Sequence, residues 1–223
     1  MPPASCSCRL PPVMDYPMAK TLNLAILLSG SGRTLQNFID LAADGKLPVK
    51  ITVVVASKPR VGGLERAQKA GIPAFEIDRK GFPNAVDWSA AVNRVLGRHP
   101  VDAIAMAGLI HLYIIPPEYA GRVLNIHPAL LPQFGGKGMY TDRVHEAVLA
   151  SGTKISGCTV HIADNEYDRG PILLQKTVPV LDDDTPHALA DRVFAAECEA
   201  YPEVLRRIAA GKIVWPYRAA SDE

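Results

Sequence analysis

The sequence has few aromatic residues, almost no net charge and no long apolar run. Aromatic residues make up 6% of the chain, and 24 lysines and arginines against 23 aspartates and glutamates leave a net charge of +1. This balance argues against a nucleic-acid or anionic-membrane binder, because both need a basic excess. The scarcity of aromatic residues argues against a base-stacking surface. No apolar stretch reaches the roughly 18 residues of a membrane span. We therefore expect neither a nucleic acid nor a membrane as a partner.

Cysteine is scarce as well, with Cys6, Cys8, Cys158 and Cys198 in the whole chain. No Cys-x-x-Cys pair occurs, and the spacing fits neither a zinc site nor a disulfide framework. The sequence therefore predicts a protein of a reducing compartment, the cytoplasm, with no bound metal. Cys158 and Cys198 are expected to be small buried hydrophobic residues.

The length of 223 residues allows one large domain or at most two small ones. Residues 1–20 are rich in proline and have neither the apolar segment of a signal peptide nor the Arg/Ser pattern of a transit peptide. We predict a flexible leader over residues 1–20, one domain over 21–215 and a tail over 216–223.

Short apolar runs alternate with helical patterns along the domain, which predicts an α/β fold. In the first part, strands are predicted at 22–28, 50–56, 73–77 and 101–107, with helices at 33–43, 62–70 and 85–97 between them. This order indicates a Rossmann-like parallel sheet. The later strands, at 122–127, 154–163 and 170–180, include an antiparallel pair, so we expect the sheet to become mixed at its C-terminal side. Helices are predicted at 140–150 and over 186–210, with a second helix starting at Pro202.

A glycine loop, Ser29-Gly30-Ser31-Gly32-Arg33-Thr34, joins the first strand to the first helix. Such a loop followed by a helix N-terminus offers N–H groups to an anion. A dinucleotide site would need a third glycine where Leu35 stands, and an acidic residue after the second strand. The segment therefore favours a phosphate site, with a tight turn that binds no ligand as the alternative.

The segment Asn125-Ile126-His127-Pro128 ends a buried strand. Asn125 and His127 project from the same face, because alternate residues of a strand do so. An amide and an imidazole side by side can stabilise an oxyanion, and the imidazole can carry a proton. The alternative is a pair that only hydrogen-bonds the next loop.

The acidic loop from Asp164 to Gly170 resembles a calcium loop but lacks its glycine and glutamate, since Arg169 and Gln175 occupy those positions. Its carboxylates have two interpretations. They are either solvated turn residues, or Asp168 is held against His127, where it would favour the imidazolium form.

Four segments together are similar to the folate-dependent formyltransferases, and within them to the phosphoribosylglycinamide formyltransferases. They are SGSGRTLQNFI at the glycine loop, GLERA at 63–67, LNIHPALLP at 124–132, and the stretch from GCTVH to EYDRGPILLQ at 157–175. The similarity extends over roughly residues 22–213.

This resemblance implies transfer of a formyl group from 10-formyltetrahydrofolate to the primary amine of glycinamide ribonucleotide, in purine biosynthesis. The folate is a consumed co-substrate, and no metal is implied. The catalytic positions of the family fall on Asn125, His127 and Asp168. Its substrate-binding positions fall on the phosphate loop and on the contact with the glycinamide end, here Gly32, Arg33, Thr34 and Glu197. Its folate-binding positions fall on Ile110, His111, Leu112, Tyr113, Asn125, Asp164 and Asp168.

His111 stands where an arginine is frequent in this family, and the loop at 135–144 is longer than in its shortest members. Two other functions compete with the implied one. A formyltetrahydrofolate deformylase would transfer the formyl group to water, and a non-catalytic phosphate-binding module would keep only the glycine loop. The chain is expected to act on small molecules as a monomer or homodimer.

Overall fold

The computed structural model describes residues 20–218. The predicted leader, apart from Lys20, and residues 219–223 lie outside the described residues. The described elements are the strands β1 (Leu22–Leu28), β2 (Val49–Ala56), β3 (Ala74–Glu76), β4 (Ala103–Met106), β5 (Val123–His127), β6 (Ile155–Ile162) and β7 (Ile172–Pro179), and the helices α1 (Arg33–Ala43), α2 (Gly62–Lys69), α3 (Ala85–Leu96), α4 (Asp142–Ala150) and α5 (Pro186–Ala209). Two short 3-10 helices lie at Arg79–Gly81 and Pro117–Tyr119.

The seven strands form one sheet in the order β3-β2-β1-β4-β5-β6-β7. Strands β1 to β5 pair in parallel, whereas β6 is antiparallel to both β5 and β7. The predicted α/β class and the change to a mixed sheet at the C-terminal side are therefore confirmed. The strand order reverses between β1 and β4, and a crevice at such a reversal is where open α/β sheets bind ligands.

Both faces of β1 are buried from Leu24 to Leu28, which explains the continuous apolar run over these residues. Leu24, Ile26 and Leu28 pack into the core on the side of α1, α2 and α5. Ala25 and Leu27 pack into the core on the side of α3. A strand that is covered on both faces does not alternate apolar with polar residues, so this part of β1 is a single hydrophobic segment.

Helix α5 is continuous from Pro186 to Ala209, so the prediction of a second helix starting at Pro202 is wrong. A proline inside a helix leaves the carbonyl four residues earlier without its N–H partner. Here that carbonyl belongs to Cys198, and the side-chain amide of Asn37 on α1 donates to it at 2.9 Å. This contact replaces the missing hydrogen bond, so the helix continues.

Candidate active site

A cavity of about 300 Å³ lies at the carboxyl ends of β1, β4 and β5, where the strand order reverses. The loops at 136–142 and 163–168 and helix α5 close its sides. Of the predicted site residues, those that line it are Arg33, Thr34, Ile110, His111, Leu112, Tyr113, Asn125, His127, Asp164, Asp168 and Glu197. The three predicted regions, for phosphate, for chemistry and for folate, therefore share one cavity.

Gly32 is the predicted site residue that does not line the cavity. It adopts φ 72° at the start of α1, and a Cβ there would stand 2.6 Å from the Cα of Gly63. Its role in the structure is to turn the chain tightly between β1 and α1 and to let α2 approach.

His127 and Asp168 lie together, as one of the two sequence interpretations expected. The Nδ1 atom of His127 is 3.5 Å from Oδ2 of Asp168, and its Nε2 is 2.8 Å from the carbonyl oxygen of Phe134. Both partners are acceptors, so the doubly protonated ring is the form that satisfies both. His127 is 3% exposed, so forming that charge requires desolvation.

The balance between burial and these two contacts decides whether the pKa of His127 lies above or below its ordinary value. Burial lowers this pKa below its ordinary value, and the charge of Asp168 and the Phe134 carbonyl raise it only in part. The carboxylate of Asp168 thus favours the imidazolium form, but burial outweighs it, so the neutral imidazole is favoured near neutral pH.

Asp168 is held rigidly at the cavity wall. Its φ is 57°, a left-handed conformation that Asp tolerates better than most residues. Its Oδ2 accepts from the N–H of Gly136 at 2.9 Å, and its Oδ1 accepts from Nδ2 of Asn125 at 3.3 Å. Burial acts to raise the pKa of Asp168, but the imidazoles of His161 and His127 and the Gly136 N–H outweigh burial and hold it below its ordinary value. Asp168 is thus a carboxylate at neutral pH.

The structure places His161 in the site, the last residue of the GCTVH segment, to which the sequence assigned no role. It lies on β6 directly opposite Asn125 on β5, and its Nε2 is 3.0 Å from the Asn125 amide nitrogen. The antiparallel register that brings the two side chains together is a long-range property. The local pattern around His161 does not show that it faces Asn125.

The loop predicted to bind phosphate joins β1 to the start of α1. Gly32 caps α1 without a side-chain hydrogen bond, so the first N–H groups of the helix are not capped by a side chain. Arg33 extends across to α5, where its guanidinium lies 3.8 Å above the ring of Phe194 and 3.1 Å from Asp191. The sequence did not indicate these two contacts, which hold Arg33 at the edge of the cavity.

Glu197 on α5 lines the cavity close to Arg33. Burial raises its pKa to about 8, and the charge of Arg33 offsets this only partly. A carboxyl group in such surroundings is stabilised as an anion when a cation or a hydrogen-bond donor binds next to it. An amine is a ligand of that kind.

Replacing Glu197 with glutamine should remove a pH dependence of stability. In the range between the ordinary value of 4.5 and about 8, the folded protein binds a proton at Glu197 that the unfolded chain does not bind. The free energy of unfolding therefore falls as the pH rises through this range. We expect the ligand-free Glu197→Gln variant to melt at a higher temperature than the wild type above about pH 8, but not near about pH 5. Parallel melting profiles of the two proteins would contradict the assignment.

The predicted folate segment follows β4 and is fixed by a buried hydrogen-bond chain. The N–H of Ile110 donates to Oγ of Ser29 at 3.0 Å, Ser29 and Ser57 share a 2.6 Å hydrogen bond, and Ser57 contacts Nδ1 of His111 at 2.9 Å. Burial lowers the pKa of His111, and the nearby charges of Lys58 and Arg79 lower it further. A neutral His111 therefore faces the cavity.

Two other predicted folate contacts are engaged within the protein. The hydroxyl of Tyr113 donates to Asn93, and the residue is buried. Oδ1 of Asp164 accepts from the N–H of Glu166 at 2.8 Å, which shapes the exposed loop. Each therefore supports the shape of the cavity wall in this structure.

No helix among residues 20–218 has the length and apolar character needed to cross a membrane. The same residues contain no cluster of three or more histidine, cysteine, aspartate or glutamate side chains arranged to hold a metal ion.

The fold, and the site that Asn125, His127 and Asp168 form, indicate the class of protein to which the chain belongs. The chain belongs to the formyl transferase family, whose sequence pattern matches residues 22–205. It is 40% identical over 197 residues to the chloroplastic phosphoribosylglycinamide formyltransferase of Arabidopsis thaliana, covering 86% of this chain and 67% of the relative. It is 36% identical over 196 residues to the trifunctional purine biosynthetic protein adenosine-3 of Homo sapiens, covering 87% of this chain. The match covers 19% of that relative, so the chain spans about a fifth of its length.

Comparison with solved structures also finds formyltransferases similar to this chain. Glycinamide ribonucleotide transformylase 1 from Symbiobacterium toebii superposes with a TM-score of 0.80 at 37% identity, covering 87% of this chain and 90% of that one. Phosphoribosylglycinamide formyltransferase from Brucella melitensis gives a TM-score of 0.76 at 38% identity, covering 87% and 99%. The predicted family membership is thereby confirmed, whereas the roles of individual residues stay predictions.

Proposed function

We propose that this chain transfers the formyl group of 10-formyltetrahydrofolate to the primary amine of glycinamide ribonucleotide. The observation that carries the proposal is the position of Asn125, His127 and Asp168 in the wall of the cavity that the phosphate loop and the segment from Ile110 to Tyr113 also line. A phosphorylated amine held by the loop and a folate held by the segment would meet at these three side chains.

The reaction consists of attack by the amine nitrogen on the formyl carbon. The new N–C bond pushes an electron pair onto the formyl oxygen, and the adduct then collapses by breaking the bond between the carbon and the folate nitrogen. The attacking nitrogen loses a proton, and the folate nitrogen gains one. The protein supplies orientation and electrostatics, while the folate supplies the reactive group.

Asn125 is the hydrogen-bond donor for the developing oxyanion, and His127 stabilises it by positive charge, since both of its ring nitrogens face acceptors within the protein. A donor in such a site is worth about 3–4 kcal/mol. Burial opposes a positive charge on His127, but a developing oxyanion near the ring would stabilise that charge. Asp168 acts in the same direction, so the imidazolium form of His127 is favoured as the transition state forms.

The two substrates occupy opposite ends of the cavity. The N–H groups at the start of α1, with Arg33 and Thr34, would hold the phosphate, and Glu197 would accept the glycinamide end.

The cysteines have no spacing typical of a disulfide framework, which supports a reducing compartment, and we propose the cytoplasm.

The deciding experiment incubates the protein with a 10-formyl folate, with and without glycinamide ribonucleotide, and follows the folate absorbance. We expect folate conversion to require the ribonucleotide and to produce a formylated amine. Equal conversion without the ribonucleotide would identify a deformylase. Binding of the ribonucleotide with no conversion at any folate concentration would identify a binding module.

Replacing Arg33 with alanine tests the phosphate end. We expect the KM for the ribonucleotide to rise by about 10- to 100-fold, with little change in the KM for the folate, because a charge-assisted hydrogen bond is lost from one ligand alone. Asp191→Ala is the matched control, since it removes the ion-pair partner of Arg33 and leaves the guanidinium free. Equal effects of the two substitutions would mean that Arg33 serves only to attach α1 to α5.

A further inference from the structure

The backbone from Phe134 to Gly136, between β5 and α4, contacts both members of the His127–Asp168 pair. The carbonyl oxygen of Phe134 accepts from Nε2 of His127 at 2.8 Å. Two residues later, the N–H of Gly136 donates to Oδ2 of Asp168 at 2.9 Å. This same Oδ2 lies 3.5 Å from Nδ1 of His127. Three consecutive residues therefore hold one nitrogen of the ring and the carboxylate oxygen that faces its other nitrogen.

Gly135, the middle residue, allows this backbone to lie directly against Asp168. A Cβ on Gly135 would stand 3.3 Å from the Cβ of Asp168 and 2.5 Å from Cδ2 of Leu131. The Leu131 atom is the end of a flexible side chain, whereas the Cβ of Asp168 moves only with its own backbone. A side chain at position 135 would therefore press the segment and Asp168 apart.

Phe134 adopts a left-handed backbone conformation, with φ 56°. Glycine, asparagine and aspartate adopt this conformation most readily, and β-branched residues resist it most. The same dihedral angles set the direction of the Phe134 carbonyl, so a change of conformation would move its oxygen away from His127. The ring of Phe134 packs against the core and does not line the cavity. Phe134 therefore contributes the position of its carbonyl to the site.

The two backbone contacts favour the charged forms of both partners. Burial lowers the pKa of His127, and the Phe134 carbonyl is one of the groups that oppose this effect. Burial likewise acts to raise the pKa of Asp168, and the Gly136 N–H is one of the groups that oppose it. A carbonyl beside an imidazolium and an N–H beside a carboxylate each stabilise the charge that they face. The segment thus supports an ion pair that burial disfavours.

We propose that the segment Phe134–Gly136 is a clamp for the His127–Asp168 pair, in which Phe134 and Gly135 are positioning residues that hold the imidazole and the carboxylate in their working geometry. Neither Phe134 nor Gly135 lines the cavity, so each acts on the reaction through the pair. This inference rests on the proposed formyl transfer and adds two residues to its machinery.

The first test compares Phe134→Val with Phe134→Asn, two side chains of similar size that both lack the ring. Asparagine accepts the left-handed conformation, whereas the β-branched valine resists it. We expect kcat of Phe134→Val to fall by about 10- to 100-fold, with KM for both substrates changed by less than about threefold, because the reacting groups are misplaced while the binding regions stay. The kcat of Phe134→Asn should be at least about tenfold higher than that of Phe134→Val. Valine suits the apolar surroundings better, so equal kcat values would overturn the clamp.

The pKa of His127 is a readout that loss of core packing alone would not move in this pattern. It can be followed by proton NMR of the ligand-free protein, with the resonance assigned from its absence in His127→Ala. We expect this pKa to fall in Phe134→Val, because the carbonyl that favours the imidazolium has turned away, and to stay at the wild-type value in Phe134→Asn. An unchanged pKa in a folded Phe134→Val variant would overturn the inference.

Gly135→Ala is an independent test that does not depend on the folding of the Phe134 variants. We expect kcat to fall by about 10- to 100-fold, with Gly81→Ala as the control, since a Cβ at Gly81 would meet no atom within 4 Å. In an Asp168→Asn background the same substitution should reduce the residual kcat by less than about threefold, because the pair is already broken. A full loss in that background would show that Gly135 acts independently of the pair and would overturn its positioning role.

Failure of the clamp and failure of the proposed function give different results. A wild type that transfers no formyl group refutes the proposed function, while the pKa of His127 still tests the clamp because its measurement needs no turnover. An active wild type in which the valine and asparagine variants behave alike refutes the clamp alone.

Discussion

Asp168→Asn should lower kcat by about 100- to 10,000-fold while the protein stays folded and still binds both substrates. The carboxylate lies 3.5 Å from Nδ1 of His127 and is the main influence that raises the pKa of that ring against burial. An asparagine there removes the charge but keeps the size. The pKa of His127 falls further, and the imidazolium whose charge stabilises the oxyanion becomes scarcer.

The double variant separates a coupled pair from two independent residues. His127→Ala should be about as inactive as Asp168→Asn, and the combination should be little worse than the poorer single variant, because the two groups act as one unit. The measurement is kcat of the three variants together with the affinity for each substrate. Asp182→Asn is the charge control, since Asp182 pairs with Lys154 on the surface outside the cavity. Fully additive losses would leave Asp168 as a turn residue.

Gly170→Ala should have the largest effect on stability. Gly170 is buried two residues after Asp168, and a Cβ there would stand 1.8 Å from the carbonyl oxygen of Ile162. That carbonyl belongs to the end of β6, so the loop and the strand would have to separate. We expect a loss of about 3 kcal/mol or more in the free energy of unfolding, measured by chemical denaturation. Activity should fall as well, because the displaced loop carries Asp168.

Gly81→Ala is the matched control for this substitution. A Cβ at Gly81 would meet no atom within 4 Å, and the residue is exposed. Its stability should stay within about 0.5 kcal/mol of the wild type, as for most surface substitutions. If Gly170→Ala behaves like this control, the close approach of the loop to β6 is not a requirement of the fold.

The alternation of strands and helices could be predicted because each segment carries its own signal. Strand β1 has an apolar run from Leu24 to Leu28, as expected for a strand buried on both faces, and β2 is rich in β-branched residues. Helix α1 repeats its apolar residues at helical spacing. The break expected at Pro202 shows where local rules fail. A proline normally ends or kinks a helix, and only the contact from Asn37 to the Cys198 carbonyl, 161 positions apart, satisfies the group that it leaves unpaired.

The same division applies to the site. The sequence by itself determined that Asn125 and His127 share a face, since a strand has a period of two, and that a glycine turn precedes α1. Only the tertiary structure decided that Asp168 lies against His127, that Arg33 pairs with Asp191, and that His161 lies opposite Asn125. It also decided that burial outweighs Asp168 in setting the pKa of His127. Periodicity is a property of neighbouring residues, whereas strand register, ion pairing and desolvation arise only when distant segments pack together.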